Sequence, residues 1–117
     1  MTAEARALAQ ALLNHHKDVC RGRTSGQQSV DSCVIPYGLL CERAGLAYLT
    51  HSAGHFLREV AEWCTANGWP PINALAVNRE SRMPGEGYDG APGCSIIRWP
   101  EELRACVEFD GYPDAAS

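Results

Sequence analysis

YGLLCERAG (residues 37–45), THSAGHFLREVAEWCTANG (50–68), INALAVN (72–78) and the glycine-rich RESRMPGEGYDGAPG (79–93) are the stretch on which the fold turns. The spacing predicts a short helix stopped by Gly45, a longer helix stopped by Asn67-Gly68, then an apolar strand and a loop. Glycine supplies the left-handed residue that ends a helix. In the longer helix, advancing about 100° per residue from His51 puts Ala53, Phe56, Leu57, Val60, Ala61 and Cys64 on one side. His51, His55, Arg58 and Glu62 fall on the other. One face packs and one is offered outward.

Working outward, Ala5, Leu8, Ala9, Leu12 and Leu13 recur at helical spacing, so residues 1–18 read as an N-terminal amphipathic helix. Residues 19–33 are a polar loop that we expect to be flexible, and Lys17, Arg21 and Arg23 make it the most basic part of the chain. Val34 and Ile35 suit a short strand, and Pro36 suits the first turn of a helix. Thr50 or Ser52 is expected to cap the longer helix. Beyond Trp69-Pro70-Pro71, the runs 72–78 and 94–99 are of strand length and flank a loop with four glycines and two prolines, the shape of a functional wing or lid. Pro100 opens a last helix with Glu101 and Glu102 at its positive end and Leu103, Cys106 and Val107 inward. The tail from Asp110 is expected to fray. Together these give an α+β, winged-helix-like single domain over 1–117: N-terminal helix, helix-turn-helix plus wing over 34–99, short antiparallel sheet, and C-terminal helix with acidic tail over 100–117.

Composition narrows the function. At 117 residues and 45% hydrophobic the chain can bury one core and is too short for two. The net charge is −4, with the acidity concentrated in 100–117, while the helix-turn-helix is near neutral. A sequence-independent DNA binder needs several cations against phosphate. Glu59 and Glu62, on or beside the outward face, would repel it. The six cysteines have no Cys-x-x-Cys pairing, which speaks against zinc ribbons, and we read them as reduced core residues. The N-terminus does not read as a secretory signal, and no apolar run reaches membrane-spanning length. A cytoplasmic protein with no cofactor, no metal and no membrane partner is expected. The sequence carries no signal for an oligomeric state.

Short motifs resemble the winged-helix domain of alkylguanine-DNA alkyltransferases and alkyltransferase-like proteins. Tyr37-Gly38-x-x-Cys41-x-x-Ala44-Gly45 is similar to their Tyr-Gly-x-x-Ala-x-x-x-Gly, and Ala53-Gly54-x-x-Leu57 to their Val-Gly-x-x-Leu. The Pro71–Val77 run with the Gly-Tyr-x-Gly of 87–90 is similar to their active-site strand and loop. The resemblance covers about half the chain and implies a DNA-binding winged helix. Where it implies Pro-Cys-His-Arg, this chain has Ile72-Asn73-Ala74-Leu75, so the alkyl-accepting cysteine and its activating histidine are both missing.

The sequence therefore points to a small non-enzymatic binding protein, with a protein partner placed ahead of nucleic acid. It would be an inhibitor or regulator of a nucleic-acid-handling complex, of the type of a phage anti-defence or anti-CRISPR inhibitor, a type assigned without a matching motif. The alternative is a winged-helix DNA-binding protein, either a transcription regulator or a lesion binder, and a second is a small enzyme whose site is assembled from distant residues. The expected binding surface is His51, His55, Arg58, Glu62, Arg79, Arg82, Glu86 and Tyr88. Lys17, Arg21, Arg23, Glu101, Glu102 and Glu108 are secondary.

Overall fold

A computed structural model describes residues 1–20, 30–85 and 87–117; Arg21, Arg23 and Glu86, with the 21–29 part of the polar loop expected over 19–33, lie outside the described residues. The described residues form four α-helices and one two-stranded sheet: α1 (Ala3–His15), β1 (Ile35–Pro36), α2 (Tyr37–Arg43), α3 (Ala53–Ala66), β2 (Ala76–Val77) and α4 (Trp99–Glu108). The class is mixed α+β.

α1 starts where Thr2 Oγ1 accepts the Ala5 N–H at 3.2 Å. Its buried face, with Leu8 and Leu12 at its centre, packs on α3 and α2. On α3 the expected division holds: Ala53, Leu57, Val60, Ala61 and Cys64 are buried, Phe56 is half-buried against the core, and His55, Arg58 and Glu62 are exposed; His51, expected in the same helix, is exposed in the turn before it. Each large apolar side chain so buried contributes about 1.5–3 kcal/mol. The glycine stops are also as read, with Gly45 at φ 76° and Gly68 at φ 74°. All six cysteines are buried and no disulfide links them.

The sheet departs from expectation. It is parallel, with Ile35 opposite Ala76 and Pro36 opposite Val77, so the antiparallel wing hairpin is not formed. The run 72–78 yields a 3-10 turn over Ile72–Leu75 before β2. The run 94–99 does not become a strand, because side chains take its backbone donors. Glu102 accepts the Ser95 N–H at 3.1 Å and Asp89 the Ile96 N–H at 3.0 Å, while Ile97 is 88% exposed and has no apolar face to match. Pro36 sits in β1, before α2, and not in its first turn. Nor does the tail fray. The Tyr112 hydroxyl donates to the Pro70 carbonyl, its ring meets Phe109 and His16 edge-on, and Gln10 pairs with Asp114 O and Ala116 N.

Where α1 meets α2, one histidine is committed to a single protonation state. His15 Nε2 lies 2.7 Å from Cys33 O, and Arg43 Nη1 donates to His15 Nδ1 at 3.4 Å. Arginine offers only donors, so Nδ1 is the acceptor, Nε2 carries the hydrogen, and the ring is neutral. Burial pushes its pKa below the ordinary 6.5, with Arg43 acting in the same direction and the Cys33 carbonyl and Asp18 opposing. The unfolded chain therefore takes up the proton more readily, and this contribution to stability is complete above 6.5 and lost as pH falls through the folded value. Urea midpoints should fall between about pH 7 and about pH 5.5. His15→Gln, which keeps a donor and an acceptor without titrating, should flatten that slope; an unchanged slope would refute the assignment.

Candidate binding cleft

The outward end of α3 opens onto a two-lobed cleft roofed by the glycine-rich loop. The roof is seated by two backbone contacts. A Cβ on Gly87 would meet the Gly54 Cα at 3.3 Å, whereas one on Gly54 would make ordinary contact at 3.7 Å, so the loop side of this approach is the tight one. Beside it, the Gly85 N–H donates to Tyr37 Oη at 2.7 Å. Burial pushes the Tyr37 pKa up, opposed by that hydrogen bond, so the phenol keeps its own proton for a ligand. The loop's far side is tied to α4, where Tyr88 donates to Glu102, and to α3, where Arg58 donates to Gly90 O at 3.1 Å.

The inner lobe, about 560 Å³, is bounded by His51, Ser52, His55 and Arg58 from the start of α3, with Tyr37 and Asn78 opposite. None of its described lining residues is a carboxylate. Neither Thr50 nor Ser52 caps α3: Thr50 Oγ1 donates back to Ala47 O, and Ser52 makes no side-chain cap bond. The first-turn N–H groups, at the positive end of the helix dipole, are therefore left uncapped by side chains beside two histidines and an arginine. The outer lobe, about 790 Å³, shares Tyr37, Thr50, His51 and Asn78 with the inner one and adds Pro36, Leu39, Ala47, Glu42 and Arg79.

The two glutamates expected to oppose phosphate do not line the cleft. Glu59 binds the Thr2 N–H and hydroxyl, each at 2.9 Å, and that backbone bond first among several causes holds its carboxyl below the usual range. Glu62 stands a turn farther along α3, in a shallow dent with Met1 and Trp63.

Of the other expected site residues, Arg79 joins the outer lobe, and Arg82, at φ 60°, reaches the Asp31 carbonyl. Tyr88 is 5% exposed and lies under the roof. Glu102 is taken up by Tyr88 and Ser95, whereas Glu101, Glu108 and Lys17 are exposed. Glu42 and Asn78 carry no signal in the sequence, Thr50 is legible there only as a helix cap, and Tyr37 only as a motif residue.

Beneath the inner lobe a cavity of about 10 Å³ is lined by Tyr37, Gly54, Leu57, Asn73, Gly87 and Tyr88. Asn73 is 3% exposed; its Nδ2 donates to Cys94 Sγ at 3.5 Å, and its Oδ1 has no partner among the described residues. Burial pushes the thiols of Cys41 and Cys94 up, and those of Cys64 and Cys106 to about 11 and about 12. These four stay protonated near neutrality and are poor nucleophiles. Among the described residues no group of three or more His, Cys, Asp or Glu is placed to hold a metal ion, and no helix is long and apolar enough to cross a membrane.

No family model, no curated protein and no solved structure matches this chain. The comparisons therefore lend the alkyltransferase resemblance no support.

An unpartnered buried acceptor costs about 1–3 kcal/mol. Replacing Asn73 by the similarly sized Leu should therefore raise the unfolding free energy by about 1 kcal/mol, read from chemical denaturation. Destabilisation by Asn73→Leu would show that the amide is satisfied in solution.

Proposed function

We propose that the protein is a non-enzymatic nucleic-acid-binding protein that takes phosphate in the inner lobe of the cleft. The observation that carries this is the inner lobe's set of hydrogen-bond donors: Arg58 with His51 and His55 beside the start of α3, which no side chain caps, and no carboxylate among the described lining residues. Backbone N–H groups and the helix dipole favour an anion at such a place, and neighbouring cations add salt-dependent attraction. A net charge of −4 disfavours indiscriminate binding but leaves a local site of the opposite sign intact. The helix-turn-helix order of α2 and α3 supports the same role; the winged-helix part of the alkyltransferase resemblance does not, because the described sheet is parallel and forms no wing hairpin. The raised thiol pKa values supply no reactive cysteine.

A protein-directed inhibitor or regulator of a nucleic-acid-handling complex, of anti-defence type, is the second reading. It draws on Tyr48 and Ile97, which are 78% and 88% exposed, and on the exposed Glu101 and Glu108 of α4.

Fluorescence anisotropy with a labelled mixed-sequence oligonucleotide pool decides between them. His55→Glu should weaken binding about tenfold or more, and affinity should fall steeply with salt. Arg104→Glu on α4, the larger change in charge, should have little effect. Salt-independent binding, or equal loss in both variants, would favour the protein partner.

A further inference from the structure

The two lobes of the cleft differ in composition. The inner lobe carries two histidines and an arginine. The outer lobe has an apolar wall of Pro36, Leu39 and Ala47 beside the Tyr37 ring, and Glu42 and Arg79 both line it. With one carboxylate and one guanidinium, the outer lobe has no excess positive charge to hold a second phosphate, and its apolar wall suits a flat, largely apolar group that brings a hydrogen-bond donor to Glu42. The lobes are continuous through Tyr37, Thr50, His51 and Asn78, so one ligand can occupy both.

A nucleotide in an unpaired strand has this composition. Its phosphate suits the inner lobe, its base can lie against Tyr37 and Leu39, and its exocyclic amino group can donate to Glu42. Carboxylates accept from base amino groups, and aromatic side chains give unpaired bases a stacking platform. A duplex keeps its base faces stacked inside and offers a run of phosphates, for which the cleft has few cations. Resting on the phosphate-binding role proposed above, we infer that the ligand is a single-stranded nucleic acid, with an amino-bearing base, cytosine or adenine before thymine, read by Glu42 in the outer lobe.

The test is anisotropy with labelled single-stranded homo-oligomers of deoxycytidine, deoxyadenosine and thymidine and with a mixed-sequence duplex, using the full chain and Glu42→Gln. Cytidine or adenosine strands should bind about tenfold tighter than thymidine strands and tighter than the duplex. Glu42→Gln, exposed and not expected to alter thermal melting, should shrink the cytidine and adenosine advantage over thymidine to about twofold or less. Equal affinity for all three strands, tighter duplex binding, or a preference untouched by Glu42→Gln overturns the base-reading inference while leaving phosphate binding standing. No binding to any oligonucleotide removes both.

Discussion

The close approach of Gly54 on α3 to Gly87 in the following loop is the constraint on which the rest of the site depends. With no side chain on either residue, backbone rests on backbone, and the loop lies down as a roof beside the first turn of α3. A Cβ at Gly87 would meet backbone atoms at 3.3 Å, tighter than most real contacts. The Tyr37 hydroxyl, accepting the Gly85 N–H, fixes the same loop to the start of α2. The roof thus joins α2 and α3, and the cleft is the space enclosed between them.

Much of this arrangement was legible in the residue pattern. The 3.6-residue period of 51–64 separated buried from exposed side chains correctly, because a helix face packed on a core leaves little choice of residue type. Gly45 and Gly68 marked helix ends because each needs a left-handed backbone. The sheet was less legible. Residues 72–78 and 94–99 have similar lengths and apolar content, and nothing local shows that the Glu102 and Asp89 carboxylates capture the second run's backbone donors. Once those N–H groups are taken, the segment turns into α4, and β2 pairs in parallel with the distant β1.

The candidate site was half visible for a related reason. His51, His55, Arg58 and Arg79 follow from the helix period and from the position after the apolar run. Tyr37, Glu42 and Asn78 join them only because α2 and β2 are brought together by the parallel pairing. Summed charge was the least reliable guide. Glu59 is tied to the start of α1 and Glu102 to the loop, so neither contributes a carboxylate to the inner lobe, whose described lining holds Arg58 and two histidines.

The account stands on the roof being seated in solution, and amide hydrogen exchange at Gly85 measures that directly. The Gly85 N–H should exchange far more slowly than in an unstructured peptide, and Tyr37→Phe, which removes its acceptor, should abolish most of that protection. Exchange at the unstructured rate in the unmodified chain would mean that the loop does not lie on α2 and α3, and the cleft would not exist as described.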